Sequence, residues 1–98
     1  MKRGVYRTVV EICGRLYTGV TNVGICPTVG KRQLHAETFI LDFSGELYGE
    51  RIRIYFLEYL REEKKFESVS ALSEQIRINA REAKERNGEN LWQAIGRS

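Results

Sequence analysis

Arg51-Ile-Arg-Ile-Tyr-Phe-Leu57 sets the fold class. Successive side chains of a strand point to opposite faces, so Ile52, Ile54 and Phe56 share one face and Arg51, Arg53 and Tyr55 the other. Apolar–polar alternation of this kind marks a half-buried antiparallel strand. Reading toward the N-terminus, more strands follow. Val5 to Ile12 is rich in β-branched residues and partly alternating. Cys13-Gly14-Arg15 forms a turn centred on its glycine, and Leu16 to Val23 returns as the second arm of a hairpin. Gly24 to Gln33 holds the only proline, two glycines and two cations, and reads as a loop. Leu34 to Phe43 is a third strand with Glu37 inside it, closed by a turn at Ser44-Gly45-Glu46.

Reading toward the C-terminus, the period changes. Ser68 is a good helix N-cap. Val69, Leu72, Ile76 and Ala83 recur at near-helical spacing and form one apolar stripe. Asn87-Gly88 is a C-terminal stop. Leu91, Trp92 and Ile95 make a last amphipathic turn, with Trp92 docking it. Hairpin strands followed by one helix predict a mainly β protein: a small antiparallel β-barrel or curled sheet with one C-terminal α-helix packed against it.

Composition narrows the function classes. The 98 residues suffice for a single domain, spanning 1–98. Apolar residues make up 42% and charged residues 30%, an ordinary soluble balance. No apolar run nears the roughly 18 residues that cross a membrane, and no signal peptide is visible. A cytoplasmic protein without a membrane partner is expected. Cys13 and Cys26 have only His35 for company, short of the about four ligands of a zinc site. No metal ligands are assigned, and two free thiols are expected. The net charge of +3 is mild and mixed in sign. A nucleic-acid partner is not expected from it, since that calls for a dense basic face.

Three groups of residues could carry chemistry. Glu37 alternates with Ala36 and Thr38 and so shares a face with Phe39 and Leu41. A carboxylate on an apolar face is partly desolvated, its pKa rises, and it can act as a general base. The plain alternative is a solvated surface glutamate. Gly24, Pro27 and Thr28 lie in a segment whose backbone N–H groups could wrap a nucleotide, although the segment is not a P-loop. An ordinary hairpin connection is the alternative there. Arg61, Lys64 and Phe66 put two cations and a ring close together, suited to a planar ligand with an anionic tail. A charged connector is the alternative. Tyr48-Gly49 is a weaker candidate, covering a ligand or closing a turn.

Four segments in one order resemble the riboflavin kinase family, in particular the C-terminal kinase module of bacterial bifunctional riboflavin kinase/FAD synthetases. They are Gly19-Val-Thr-Asn-Val-Gly-Ile-Cys-Pro-Thr28, Ala36-Glu-Thr-Phe-Ile-Leu-Asp-Phe43, Gly45-Glu-Leu-Tyr-Gly49 and Phe56-Leu-Glu-Tyr-Leu-Arg-Glu-Glu-Lys-Lys-Phe66. The resemblance implies a six-stranded antiparallel barrel with a helix beside it. It implies an enzyme, a phosphotransferase making FMN and ADP from riboflavin and ATP with Mg²⁺, on the way to FAD. Glu37 then matches the catalytic carboxylate that takes the proton of the ribityl 5′-hydroxyl. Ile40, Asp42 and Tyr48 match positions lining the nucleotide, with Gly24, Pro27 and Thr28 bordering it. Arg61, Lys64 and Phe66 match the flavin side.

Two departures qualify the resemblance. A family Pro-Thr-Ala-Asn motif that holds metal and phosphate has no counterpart here, and Cys26 stands where Arg or Asn is common. The chain is therefore expected to be an N-terminally truncated portion of the domain, which alone could be inactive. An adenylyltransferase domain in the parent chain fits the resemblance. A missing strand would expose sheet edges and invite a homo-oligomer. The rival is a catalytically inactive flavin-binding or interaction module.

Overall fold

A computed structural model describes residues 2–28, 30–45, 49–63 and 67–96, with the backbone alone for 26–28, 31 and 32. Four strands lie among the described residues: β1 (Gly4–Ile12), β2 (Arg15–Thr28), β3 (Lys31–Ile40) and β4 (Ile52–Arg61). They form one antiparallel sheet in the order β3-β2-β1-β4. Helix α1 (Val69–Asn87) and the short α2 (Leu91–Ala94) follow. The expected antiparallel β protein with a packed C-terminal helix is what forms. The six strands of the family barrel are not reached among the described residues. There β3 and β4 are the edges of an open sheet.

The segment after Val23 corrects the sequence reading. Gly24 to Gln33 is not a loop, because β2 runs on to Thr28 and β3 begins at Lys31. Ladder pairs continue outward through Gly24↔His35 to Thr28↔Lys31. Pro27 sits within this hairpin, paired with Arg32. Turn composition near a tip cannot reveal that the arms go on pairing, since each arm's partner is set by the register begun further in. Gly30 takes φ +73°, the left-handed conformation a tight connection needs.

Both faces of the sheet carry buried residues. On one, Thr8, Thr21 and Thr38 line up across β1, β2 and β3. Thr8 Oγ1 lies 3.1 Å from Thr21 Oγ1, which lies 2.9 Å from Thr38 Oγ1. Gly19 leaves the space for this ladder, since a Cβ there would stand 2.6 Å from Thr8 Oγ1. Tyr6 extends the same face toward β4, meeting Phe56 and Tyr59 edge-on with ring centres 5.4 Å apart in each pair.

On the other face Val5 and Val20 meet Ala80 and Ala83 of α1, with Leu41 and Leu60 packed beside them. The helix starts as expected: the Ser68 hydroxyl accepts from the Ala71 N–H at 3.1 Å. It ends at Gly88, whose N–H bonds the Lys84 carbonyl. The predicted apolar stripe is only partly its docking face. Among its members Ala83 is buried, while Val69 is 79% and Leu72 41% exposed. Asn79, Ala80, Ala83 and Asn87 are the residues that α1 buries. Small side chains let the helix axis approach the sheet, and the two asparagines are tolerated because their amides are hydrogen-bonded.

Candidate active-site cleft

A helix buried only through its C-terminal half leaves a wedge beneath its N-terminal half. That wedge is a cleft of about 740 Å³. Its apolar wall is Val5, Val20 and Phe39 from the sheet and Val69, Leu72 and Ile76 from α1. Asn22, Glu37, Arg61, Glu63, Glu67, Ser68 and Asn79 supply the polar groups. Apolar walls with a few convergent polar groups, at this volume, suit a small organic ligand.

Register explains which residues meet there. Glu37 pairs with Asn22, Phe39 with Val20, and Val5 with both Asn22 and Arg61. All therefore point to the helix-covered face. Glu37 is not desolvated as its strand pattern suggested. Its side chain is 75% exposed, and His35 Nε2 stands 3.4 Å away. It belongs to β3, an edge strand, and faces the open wedge rather than the packed core. Arg61 is more enclosed. Its Nε donates to Asn79 Oδ1 at 3.0 Å and its Nη1 to the Glu62 carbonyl at 3.0 Å. Partial burial pulls its guanidinium below the ordinary value, though it stays charged.

The closed end of the wedge is held by a polar cluster. Glu58 accepts from Arg86 Nη1 at 2.7 Å and Arg7 Nε at 3.0 Å. Arg7 also donates to Asn87 Oδ1, while Asn87 Nδ2 donates to the Thr8 carbonyl and Thr18 Oγ1 at 3.2 Å each. Hydrogen bonds from Arg86, then from Arg7, hold the Glu58 carboxyl below the usual carboxylate range.

The residues singled out from sequence are distributed unevenly. Glu37 and Arg61 come together in the cleft. Gly24 lies beside it: a Cβ there would stand 2.4 Å from Glu63 Oε1. Ile40 follows Phe39 and so points to the face opposite Glu37. Asp42, at φ +56°, sits in the turn after β3 and pairs with Lys84 at 3.4 Å, outside the cleft. Pro27 and Thr28 are at the far end of the β2–β3 hairpin. Tyr48, Lys64 and Phe66 lie outside the described residues. Cys13 is a free thiol, as expected; Glu50 accepts its hydrogen bond at 3.0 Å and pushes its pKa up. Trp92, expected to dock the last turn, is 41% exposed and borders a recess of about 660 Å³ with Gly14, Arg15, Leu16 and Tyr17.

Sequence reasoning missed Asn22, Phe39, Leu72 and Asn79 as cleft residues. Asn22 was legible as the cross-strand neighbour of Glu37 once the hairpin register is known. Asn79 had a signal too, a polar residue at a helix position next to Ala80 and three residues after Ile76.

Comparisons with known proteins bear on the family. A family model described as "Flavokinase: Riboflavin kinase" matches residues 1–87. The chain is 42% identical over 82 residues to a bifunctional riboflavin kinase/FMN adenylyltransferase of Pseudomonas fluorescens, covering 83% of this chain and 26% of that protein. It is 36% identical over 78 residues to an RNA-binding riboflavin kinase, RibR, of Bacillus subtilis, covering 79% of this chain and 34% of the relative. Among solved structures, one titled a macrolide-efflux protein from Streptococcus pneumoniae superposes with a TM-score of 0.77 at 32% identity, over 89% of this chain and 28% of that one. The chain thus spans about a quarter to a third of the length of these proteins.

Proposed function

Because the chain belongs to the riboflavin kinase family, we propose that it forms the flavin-phosphorylating site of a riboflavin kinase, with the α1 wedge receiving riboflavin. The observation that carries this reading is the meeting of Glu37 and Arg61 in one apolar-walled cleft. The flat ring system fits between Phe39 and Leu72, and Arg61 meets its polar edge. Glu37 reaches the ribityl chain from the open side. There its carboxylate accepts the 5′-hydroxyl proton as the oxygen bonds to the γ-phosphorus of ATP and the bond to the β,γ-bridging oxygen breaks. FMN and ADP leave, and Glu37 carries the proton until water takes it. The carboxylate stands open to solvent on the edge strand, and the bound ligand covers it. Phosphoryl transfer asks mainly for such positioning.

Ile40, Asp42, Tyr48, Gly24, Pro27 and Thr28 are proposed to border the nucleotide, whose γ-phosphate reaches Glu37 around the β3 edge of the sheet. Lys64 and Phe66 extend the flavin side. Among the described residues no three His, Cys, Asp or Glu side chains cluster closely enough to hold a metal ion. Mg²⁺ is proposed to arrive with ATP as part of the substrate. Relatives named bifunctional suggest an FMN adenylyltransferase domain as the partner that consumes the FMN. The cytoplasm, where ATP is supplied, is the proposed compartment. An exposed sheet edge remains the proposed route to a homo-oligomer.

Riboflavin titration followed by flavin fluorescence, with and without MgATP, tests the reading. Binding in wild type and conversion to FMN, with conversion lost in Glu37→Gln, is the expected result. Binding without conversion would leave a flavin-binding module, and no binding would remove the assignment. The same titration with RNA added checks the expected absence of a nucleic-acid partner, a question raised by the relative named RNA-binding.

A further inference from the structure

Asn79 occupies the apex of the wedge. It is the first residue of α1, counted from the N-terminus, that the sheet buries, at 4% exposure. Its Oδ1 accepts from Arg61 Nε at 3.0 Å and from Gln75 Nε2 at 3.3 Å. Two donors on one oxygen set the amide's orientation, with the carbonyl toward β4. Arg61 is meanwhile held at Nη1 by the Glu62 carbonyl. A guanidinium is planar, so fixing Nε and Nη1 fixes the plane of the whole group. A buried amide has few other ways to be satisfied, so the contact persists rather than exchanging with water.

We propose that Asn79 is a positioning residue for flavin recognition: it holds the Arg61 guanidinium in the plane in which it meets the carbonyl-bearing edge of the ring system. This rests on the flavin-kinase reading of the cleft. Asn79 acts through Arg61 and takes no part in proton transfer. Its removal weakens riboflavin binding and leaves the chemical step alone. Asp at the same position keeps an acceptor oxygen for Arg61 and so preserves the function, whereas Leu, of similar size, does not.

The test uses the full-length protein carrying this chain, with Asn79→Leu, Asn79→Asp, Arg61→Ala and the Asn79→Leu/Arg61→Ala double variant. Steady-state kinetics with riboflavin and MgATP are expected to show KM for riboflavin raised roughly tenfold in Asn79→Leu, the scale of one hydrogen bond to a charged group, with kcat within about twofold. Asn79→Asp is expected within about twofold of wild type in both. The double variant should be no worse than Arg61→Ala alone, since the two residues act as one unit. The ¹⁵N signal of Arg61 Nε–H supplies a readout without flavin, slowly exchanging in wild type and Asn79→Asp and averaged in Asn79→Leu. An unchanged KM in Asn79→Leu, while Arg61→Ala raises it, overturns the positioning role and leaves the site reading intact. Additive effects in the double variant, or failure of Asp to restore KM, overturn it too. If Arg61→Ala itself leaves KM unchanged, the flavin-side assignment of Arg61 fails and this role falls with it.

Discussion

Glu37 of β3 lies directly across the ladder from Asn22 of β2, and both line the open side of the cleft beneath α1. Nothing in the packed core depends on the Glu37 carboxylate. Glu37→Gln is therefore expected to leave stability within about 0.5 kcal/mol of wild type. FMN formation should fall roughly a hundredfold to ten-thousandfold, the usual scale for losing a general base. Urea unfolding and an FMN assay on the same preparation check this. A rate loss matched by a stability loss would make Glu37 a structural residue.

Glu58 ties β4 to β1 through Arg7 and to the end of α1 through Arg86. Its carboxyl titrates below its ordinary value in the folded state. Such a group contributes stability above its unfolded pKa of about 4.3, and the contribution is lost as pH falls through the lower folded value. Glu58→Gln should accordingly be less stable than wild type near neutral pH. The two should converge as acid titrates the wild-type carboxyl. The gap should also shrink in high salt, because the pairs are solvent-accessible. Urea midpoints across an acid series measure it, and a gap that stays constant with pH would refute the assignment.

The threonine ladder makes a non-additive prediction. Thr21 is fully buried and its hydroxyl touches both Thr8 and Thr38. Thr21→Val strips a partner from two hydroxyls and should cost about 1–3 kcal/mol. Replacing all three by Val removes the donors and acceptors together and should cost less than the sum of the three single changes. Equilibrium unfolding of the four variants decides the matter; strict additivity would mean that the hydroxyls do not interact.

Opposite ends of α1 should respond oppositely. Ala83 is fully buried against the sheet. Ala83→Leu adds volume where none is available and should destabilise by about 1–3 kcal/mol. Leu72 faces the cleft with 41% of its surface exposed. Leu72→Ser should change stability by only about 0.5 kcal/mol while weakening riboflavin binding several-fold. Melting curves and flavin titration of both variants test the division of the helix into an anchor and a cleft wall. Equal destabilisation by the two changes would contradict it.

Sequence by itself determined the elements and the family. Alternation in Arg51 to Leu57, the β-branched run from Val5, the Ser68 cap and the Gly88 stop are local rules, readable because each depends on neighbours in the chain. Glu37 and Arg61 were legible through motif order. Tertiary structure decided what those elements enclose. Pairing of Gly24 with His35 and of Thr28 with Lys31 turned an apparent loop into a long hairpin, because ladder partners lie across the fold. The solvation of Glu37 followed from its place on an edge strand facing a wedge, which alternation within one strand cannot express. The stripe Val69, Leu72, Ile76 and Ala83 is continuous along the helix, yet α1 fully buries side chains only from Asn79 onward. The N-terminal part of α1 is thus a cleft wall and the C-terminal part a core, a division set by Asn79, Ala80, Ala83 and Asn87 packing against strands far away in sequence.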